Sequence, residues 1–397
     1  MAPTTQTAPP ARAERRDPLG VPGLESLPPL GGKRVLVRAT LDLPLTTRFG
    51  SPAARQRTAL LGETLFWLSR RARSVTVSGE RGPRPTGRRR DRRLAEVLRQ
   101  IAPNLTLAGP DESAEEETAI ARLVAGHDVF VNDSFQWSHL PYPSVMIPPA
   151  TLPSAAGRAL HRDLQVGEDL LLRPERPFVA VIGGADPLPR LHGLSGLVLR
   201  ADEVLVGGAV SQPLLVAIGR ERGDGASDFS SECRALFGLA SRVQHPIELP
   251  QDLVVVTPGG SVAGVPASGD VTGDVQDIGP MTAKRFAEVV EGAGTLLWCG
   301  SLGRVEDPRF AEGTLEVARA LRGRRPGRTV LAGDALTSLL ARQGGWERRR
   351  LDGMSLASAT LPLLELLKVG DLPALQALRR SPLAAAPVRA PVAAPAS

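Results

Sequence analysis

Arg176-Pro177-Phe178-Val179-Ala180-Val181-Ile182-Gly183-Gly184-Ala185-Asp186-Pro187-Leu188-Pro189-Arg190-Leu191 is the stretch whose reading decides the fold. Phe178 to Ile182 is a short apolar run rich in β-branched residues, the pattern of a strand buried on both faces. It closes on Gly183-Gly184, as a strand does when a parallel α/β sheet delivers its C-terminal ends to a ligand. Such a turn leads into a helix whose free N–H groups favour an anion. Here that position carries Asp186, flanked by Pro187 and Pro189. The backbone suits a phosphate and the side chain repels one. The contradiction points to a phosphate-handling scaffold whose chemistry has decayed.

Downstream the strand-then-glycine pattern repeats. Val204 to Val206 ends in Gly207-Gly208, Thr295 to Trp298 runs into Gly300 and Gly303, and Thr329 to Leu331 precedes Gly333-Asp334. Leu253 to Val256 is a further strand candidate. Glycine-bearing ends in one half of the chain imply a crevice along one parallel sheet. Upstream, Arg34 to Ala39 reads as a strand, followed by Thr40-Leu41-Asp42-Leu43-Pro44. Ala54 to Arg71 has helical spacing, with Leu61, Leu65 and Leu68 on one stripe. Ser74 to Val77 is a second strand, and Ser78 to Gly87 is a loop by its glycine and proline content. Asp128 to Asp133 is a strand that runs into Ser134 to His139. Ala155 to Leu172 is helical and joins this half to the one beginning at Arg176.

At 397 residues the chain suits two domains. Hydrophobic content of 42% is that of a water-soluble chain, and no apolar run is long enough to span a membrane. The N-terminus has no apolar signal core, so the expected location is the cytoplasm. Cys233 and Cys299 fit reduced structural residues better than a disulfide framework or a metal site. The net charge of +6 admits a polyanionic partner. Its basic residues are almost all arginine, since lysine occurs only at 33, 284 and 368. The run Arg88, Arg89, Arg90, Arg92 and Arg93 opens a helix reaching about Ile101. No aromatic residues are interleaved with it, which disfavours nucleic-acid binding and favours a solvated helix end.

These elements, in this order, resemble the phosphoglycerate kinase family from about Gly32 to Leu378. The family pattern Val-Arg-x-Asp-x-Asn-x-Pro corresponds to Val37 to Pro44, and Val-Asn-Asp-Ala-Phe-Gly to Val131 to Gln136. Arg-Pro-Phe-x-Ala-x-x-Gly-Gly-Ala is nearly intact at Arg176 to Ala185. Ile278-Gly279-Pro280-Met281-Thr282, Phe310-Ala311-Glu312-Gly313-Thr314 and Leu364 to Pro373 match three further signatures. The resemblance implies an α/β protein of two Rossmann-like αβα lobes with parallel sheets, joined by a helix and hinge. It implies an N-terminal lobe over 19–165, with about 371–380 packing back on it, and a C-terminal lobe over 166–370. Residues 1–18 and 381–397 read as disordered by composition. The implied reaction is transfer between ATP and 3-phosphoglycerate on a monomer, with Mg-ATP or Mg-ADP in the C-terminal lobe.

Position by position, the resemblance is uneven. On the acid side it maps substrate binding to Asp42, Arg57, Arg84 and His139, but Thr40 replaces an aspartate and Leu140 an arginine. A further arginine has no counterpart between Leu105 and Glu117. A buried arginine–anion bond is worth about 1.5–3 kcal/mol, so losing two costs roughly two to four decades of affinity. On the nucleotide side the glycines Gly183, Gly184, Gly207, Gly208, Gly300, Gly303 and Gly333 remain. So do Glu306, at the ribose position, and Asp334, at the Mg²⁺-associated position. Asp186 replaces the first transfer lysine and Arg190 the second, leaving Arg57 and Arg190 as the catalytic candidates. Cys299 replaces an asparagine, Ala335 a threonine, and Leu361 a glycine of the last phosphate loop, beside Pro362. An anion about 5 Å from a phosphate repels it by roughly 3 kcal/mol at an effective dielectric near 20.

The expectation is therefore a family member impaired in catalysis, with nucleotide binding retained at most and a protein partner the sequence does not name. The alternatives are an active kinase using substitute arginines such as Arg190, Arg81 or Arg84, and a polyanion binder. A purely structural use also competes, with the glycines serving tight turns, Glu306 and Asp334 capping helices, and His139 incidental.

Overall fold

The structure is a computed structural model that describes residues 17–42, 51–79, 88–108, 116–219, 229–268, 271, 273–323, 327–343 and 354–383, with the side chains of 88–90 excepted. The first half forms a parallel sheet from β1 (Arg34–Arg38), β2 (Ser74–Ser78), β3 (Leu105–Leu107), β4 (Val129–Asn132) and β5 (Ser154–Ala156), in the order β3-β2-β1-β4-β5. Its helices are α1 (Pro52–Ser69), α2 (Arg88–Ile101), α3 (Glu117–Ala125) and α4 (Pro143–Thr151). α5 (Arg158–Leu172) leads to the second half. The expected single helix from Ala155 is thus a short strand followed by a helix, because Phe130, Val131 and Asn132 of β4 offer an edge to Ser154–Ala156.

The second half is built on β6 (Phe178–Ile182), β7 (Glu203–Val206), β8 (Ile247–Glu248), β9 (Asp252–Val256), β10 (Val262–Pro266), β11 (Asp274–Ile278), β12 (Thr295–Cys299), β13 (Arg328–Ala332) and β14 (Ser355–Ala357). Six of these make a parallel sheet in the order β14-β13-β12-β6-β7-β8. β6 is buried along its whole length at its centre, as its unbroken apolar run requires. The strand around Leu253 to Val256 lies elsewhere, in a three-stranded antiparallel sheet β10-β9-β11. Its inward residues Leu253 and Val255 alternate with half-buried ones, the period of a strand covered on one face only. The helices are α6 (Pro187–Val198), α7 (Gly208–Ala217), α8 (Ser230–Val243), α9 (Pro280–Gly292), α10 (Glu312–Gly323), α11 (Asp334–Arg342), and two more at Thr360–Val369 and Pro373–Arg379.

One apolar core runs through both halves, joining Phe130 and Phe135 to Leu160 and Leu164 of α5 and on to Leu194, Leu363 and Leu375. The last helix returns to the first sheet, where Ala374 N–H donates to the Ser138 carbonyl at 3.2 Å and Ser381 Oγ to that of Ser154 at 3.4 Å. No helix among the described residues is long and apolar enough to cross a membrane.

Candidate functional site

Register brings the glycine ends together. Ile182 of β6 stands level with Val206 of β7 and Cys299 of β12, and Cys299 with Ala332 of β13. The next residues, Gly183, Gly207, Gly300 and Gly333, form one row at the C-terminal edge of the sheet. A cleft of about 640 Å³ opens above that row, lined by Gly184, Gly208, Gly300, Gly303 and Gly333 among others. Gly183 and Gly207 lie in the row but beneath the cleft surface. At Gly183 a Cβ would stand 2.1 Å from the Ser301 carbonyl oxygen, and at Gly300, with φ of 81°, 2.6 Å from that of Gly183. These two glycines let adjacent loops pass backbone against backbone.

The charged groups at the cleft depart from a plain phosphate cradle. Asp186 is exposed at the head of α6 and makes no side-chain capping bond. Pro187 and Pro189 carry no N–H, so the head of α6 keeps few free donors. Arg190 folds back across Gly184, with Nη1 donating to the Asp186 carbonyl at 2.6 Å. Cys299 is fully buried, and burial pushes its thiol up to about 12. Glu306 lines the cleft and is exposed. Asp334 is also exposed, and its Oδ1 accepts from Ser51 Oγ at 2.5 Å. That bond crosses from the first half to the second, and Ser51 is also the N-cap of α1, accepting from Ala54 N–H at 2.9 Å.

The expectation that Glu306 and Asp334 cap helices is not met. Gly333 occupies the cap of α11 with Asp334 inside the first turn, and Asp307 caps the turn after Glu306. Asp277 was missed by the sequence reading. It is 3% exposed beside the cleft and accepts from the backbone N–H groups of Gly313 and Ile278 at 2.8 and 2.9 Å. Burial raises its carboxyl to about 7. The residue stands next to the matched Ile278-Gly279-Pro280 motif, and that position was the one available signal.

Outside the residues that line the cleft, β14 leads through Ser358 and Ala359 into the helix Thr360–Val369. Leu361 is half-buried in its first turn, and Pro362 is buried there without an N–H to offer. Arg57 comes from α1 and is 8% exposed, its Nη1 donating to the Ser358 carbonyl at 3.3 Å. Ala335, beside Asp334, lines the cleft.

On the acid side Thr40 is buried and shares a 2.7 Å hydrogen bond with Ser134 Oγ. Leu140 is half-buried. His139 stacks on Trp137 at 6.4 Å between ring centres, and burial lowers its pKa, opposed in part by the charge of Glu365. Asp42 is exposed. Arg81 and Arg84 lie outside the described residues, as do the side chains of Arg88 to Arg90, while Arg92 and Arg93 are exposed.

Comparison with known proteins agrees with this architecture. The phosphoglycerate kinase family model matches residues 102–364. The chain is 32% identical over 347 residues to the phosphoglycerate kinase of Thermomicrobium roseum, covering 77% of this chain and 88% of that one. It is 32% identical over 368 residues to that of a Thermus thermophilus strain, covering 89% and 90%. Among solved structures, phosphoglycerate kinase from Pyrococcus horikoshii superposes with a TM-score of 0.73 at 21% identity, covering 90% of this chain and 98% of that one. The enzyme from Coxiella burnetii gives 0.70 at 22% identity, covering 91% and 99%.

Proposed function

The chain belongs to the phosphoglycerate kinase family, and we propose that it holds a nucleotide weakly in the glycine-floored cleft without efficient transfer between ATP and 3-phosphoglycerate. The observation that carries this reading is the head of α6, where Asp186 stands between the cleft-lining residues Ala185 and Arg190 and is followed by Pro187 and Pro189; the head of the helix Thr360–Val369 likewise carries Leu361-Pro362. Phosphoryl transfer depends almost entirely on positioning and on stabilising charge at the moving group. An aspartate there works against that charge, and a proline in a helix head removes a donor aimed at it. The acid side supports the same reading, since Thr40 and Leu140 supply no cation and burial disfavours the charged form of His139.

Mg²⁺ would be held by Asp334 together with nucleotide phosphate oxygens, because magnesium accepts one protein carboxylate when phosphates complete its shell. It would neutralise phosphate charge there. Glu306 would face the ribose and Gly184, Gly208 and Gly300 the phosphates. The chain acts as a monomer of the cytoplasm on this reading.

A second reading, an active kinase, draws on one observation: Arg190 lines the cleft, while Arg57 of the first half donates to the Ser358 carbonyl of the second. Two guanidinium groups would then replace the transfer lysines.

A coupled assay with Mg-ATP and 3-phosphoglycerate at saturating concentrations decides between them. Wild type, Asp334→Ala and an Asp186→Lys/Ala335→Thr variant are run together. No turnover in the wild type supports the first reading. Turnover in the wild type that Asp334→Ala abolishes establishes the second.

A further inference from the structure

Ser358 is where three elements meet. Its N–H donates to Asp163 Oδ1 at 2.9 Å and its hydroxyl to Asp163 Oδ2 at 2.5 Å. Its carbonyl accepts from Arg57 Nη1 at 3.3 Å. Asp163 lies on α5, which packs on both halves, and is 4% exposed. Arg57 lies on α1; its Nε has no hydrogen-bond partner among the described residues, its Nη1 donates to the Ser358 carbonyl, and its charge also acts on the Asp163 carboxyl, opposing the effect of burial there. Arg162 braces the neighbouring strand, its Nη2 donating to Ser355 Oγ at 3.3 Å. One residue of the second lobe is therefore clamped by a buried carboxylate on one side and presents its carbonyl to a guanidinium of the first lobe on the other. A single backbone acceptor is a weak hold on a buried guanidinium unless that acceptor is itself fixed.

We propose that Asp163 is a positioning residue: acting through Ser358, it fixes Arg57 and so sets how α1 sits against the nucleotide cleft. The relay concerns the contact between the lobes and holds whether or not phosphoryl transfer occurs.

Hydrogen–deuterium exchange of the full chain, read by mass spectrometry, tests it. Asp163→Ala speeds exchange about tenfold both at 354–359 and at 55–61 of α1, while Phe178–Ile182 of β6 is unchanged. Asp163→Asn restores most of the protection, since the Ser358 hydroxyl can turn to accept from the new amide. Arg57→Gln gives the same tenfold at both segments, and its combination with Asp163→Ala gives no more than either alone. Unchanged exchange in α1 on Asp163→Ala overturns the relay, and so does a roughly hundredfold, additive effect in the double variant. Should Asp163→Ala not fold, Ser358→Ala removes only the hydroxyl bond. It then gives the same pattern at about threefold, and a flat response overturns the proposal.

Discussion

The floor of the cleft and its rim carry the same family ancestry and obey different constraints. On the floor, Gly183 and Gly300 are held by packing, with no room for a Cβ between the loops that follow β6 and β12. A chain that keeps this sheet keeps those glycines for the fold alone. At the rim, Asp186 and Ala335 are exposed. Rim side chains answer to the ligand and to little else. Surviving glycines therefore testify to the fold, and the rim testifies to the chemistry. Here the two disagree.

The largest expected effect tests the floor. Gly183→Ala places a methyl against a backbone carbonyl and lowers stability by about 3 kcal/mol, which calorimetry would register as a fall in Tm. An unchanged Tm would mean that the floor glycines are kept for a ligand after all.

The second prediction concerns two buried carboxylates, Asp133 just after β4 and Asp277 on β11. Burial raises Asp133 and Asp277 from 3.8 to about 7. Their folded pKa lies above the unfolded one, so the folded state binds the proton more tightly. The stability this contributes is complete below about pH 4 and is lost as pH rises through about 7. The unfolding free energy from urea titration should accordingly fall between pH 5 and pH 8, by on the order of 2 kcal/mol per group and with a matching fall in midpoint, and Asp277→Asn should flatten that slope. A midpoint that rises over this range would contradict it.

At the rim the effects move from stability to binding. Asp186→Lys exchanges a repelling charge for an attracting one and should tighten Mg-ADP by about tenfold in calorimetric titration, the exposed position screening much of the direct Coulomb energy. If Mg-ADP affinity does not change, nucleotide phosphates do not approach α6. Ala335→Thr is the smallest case. It should leave stability within about 0.5 kcal/mol, since the residue is exposed at the head of α11.

Much of the fold was legible because its signals are local. The apolar run Phe178 to Ile182 became β6, Leu61, Leu65 and Leu68 became the buried stripe of α1, and the glycine pairs came out as strand ends along one edge. The antiparallel placement of β9 was not legible, because a short apolar run reads alike whichever sheet receives it. Nor was the strand at Ser154–Ala156, whose partner lies in β4. Within the site, substitutions such as Asp186 and Leu361 could be read directly from the chain. Asp277 is marked only by its place beside Ile278-Gly279-Pro280, since an aspartate in a strand gives no sign that folding will bury it.

The sequence by itself determined the alternation of strand and helix, the glycine turns, and the charge that each site position carries, such as the aspartate at 186. Periodicity, turn chemistry and side-chain charge are properties of neighbouring residues. Only the tertiary structure decided that Ser51 would meet Asp334, that Arg190 would fold back over Gly184, and that Ser358 would join Asp163 to Arg57. Ser51 and Asp334 lie 283 residues apart, and their meeting depends on how α5 and the returning last helix bring two separately wound sheets together.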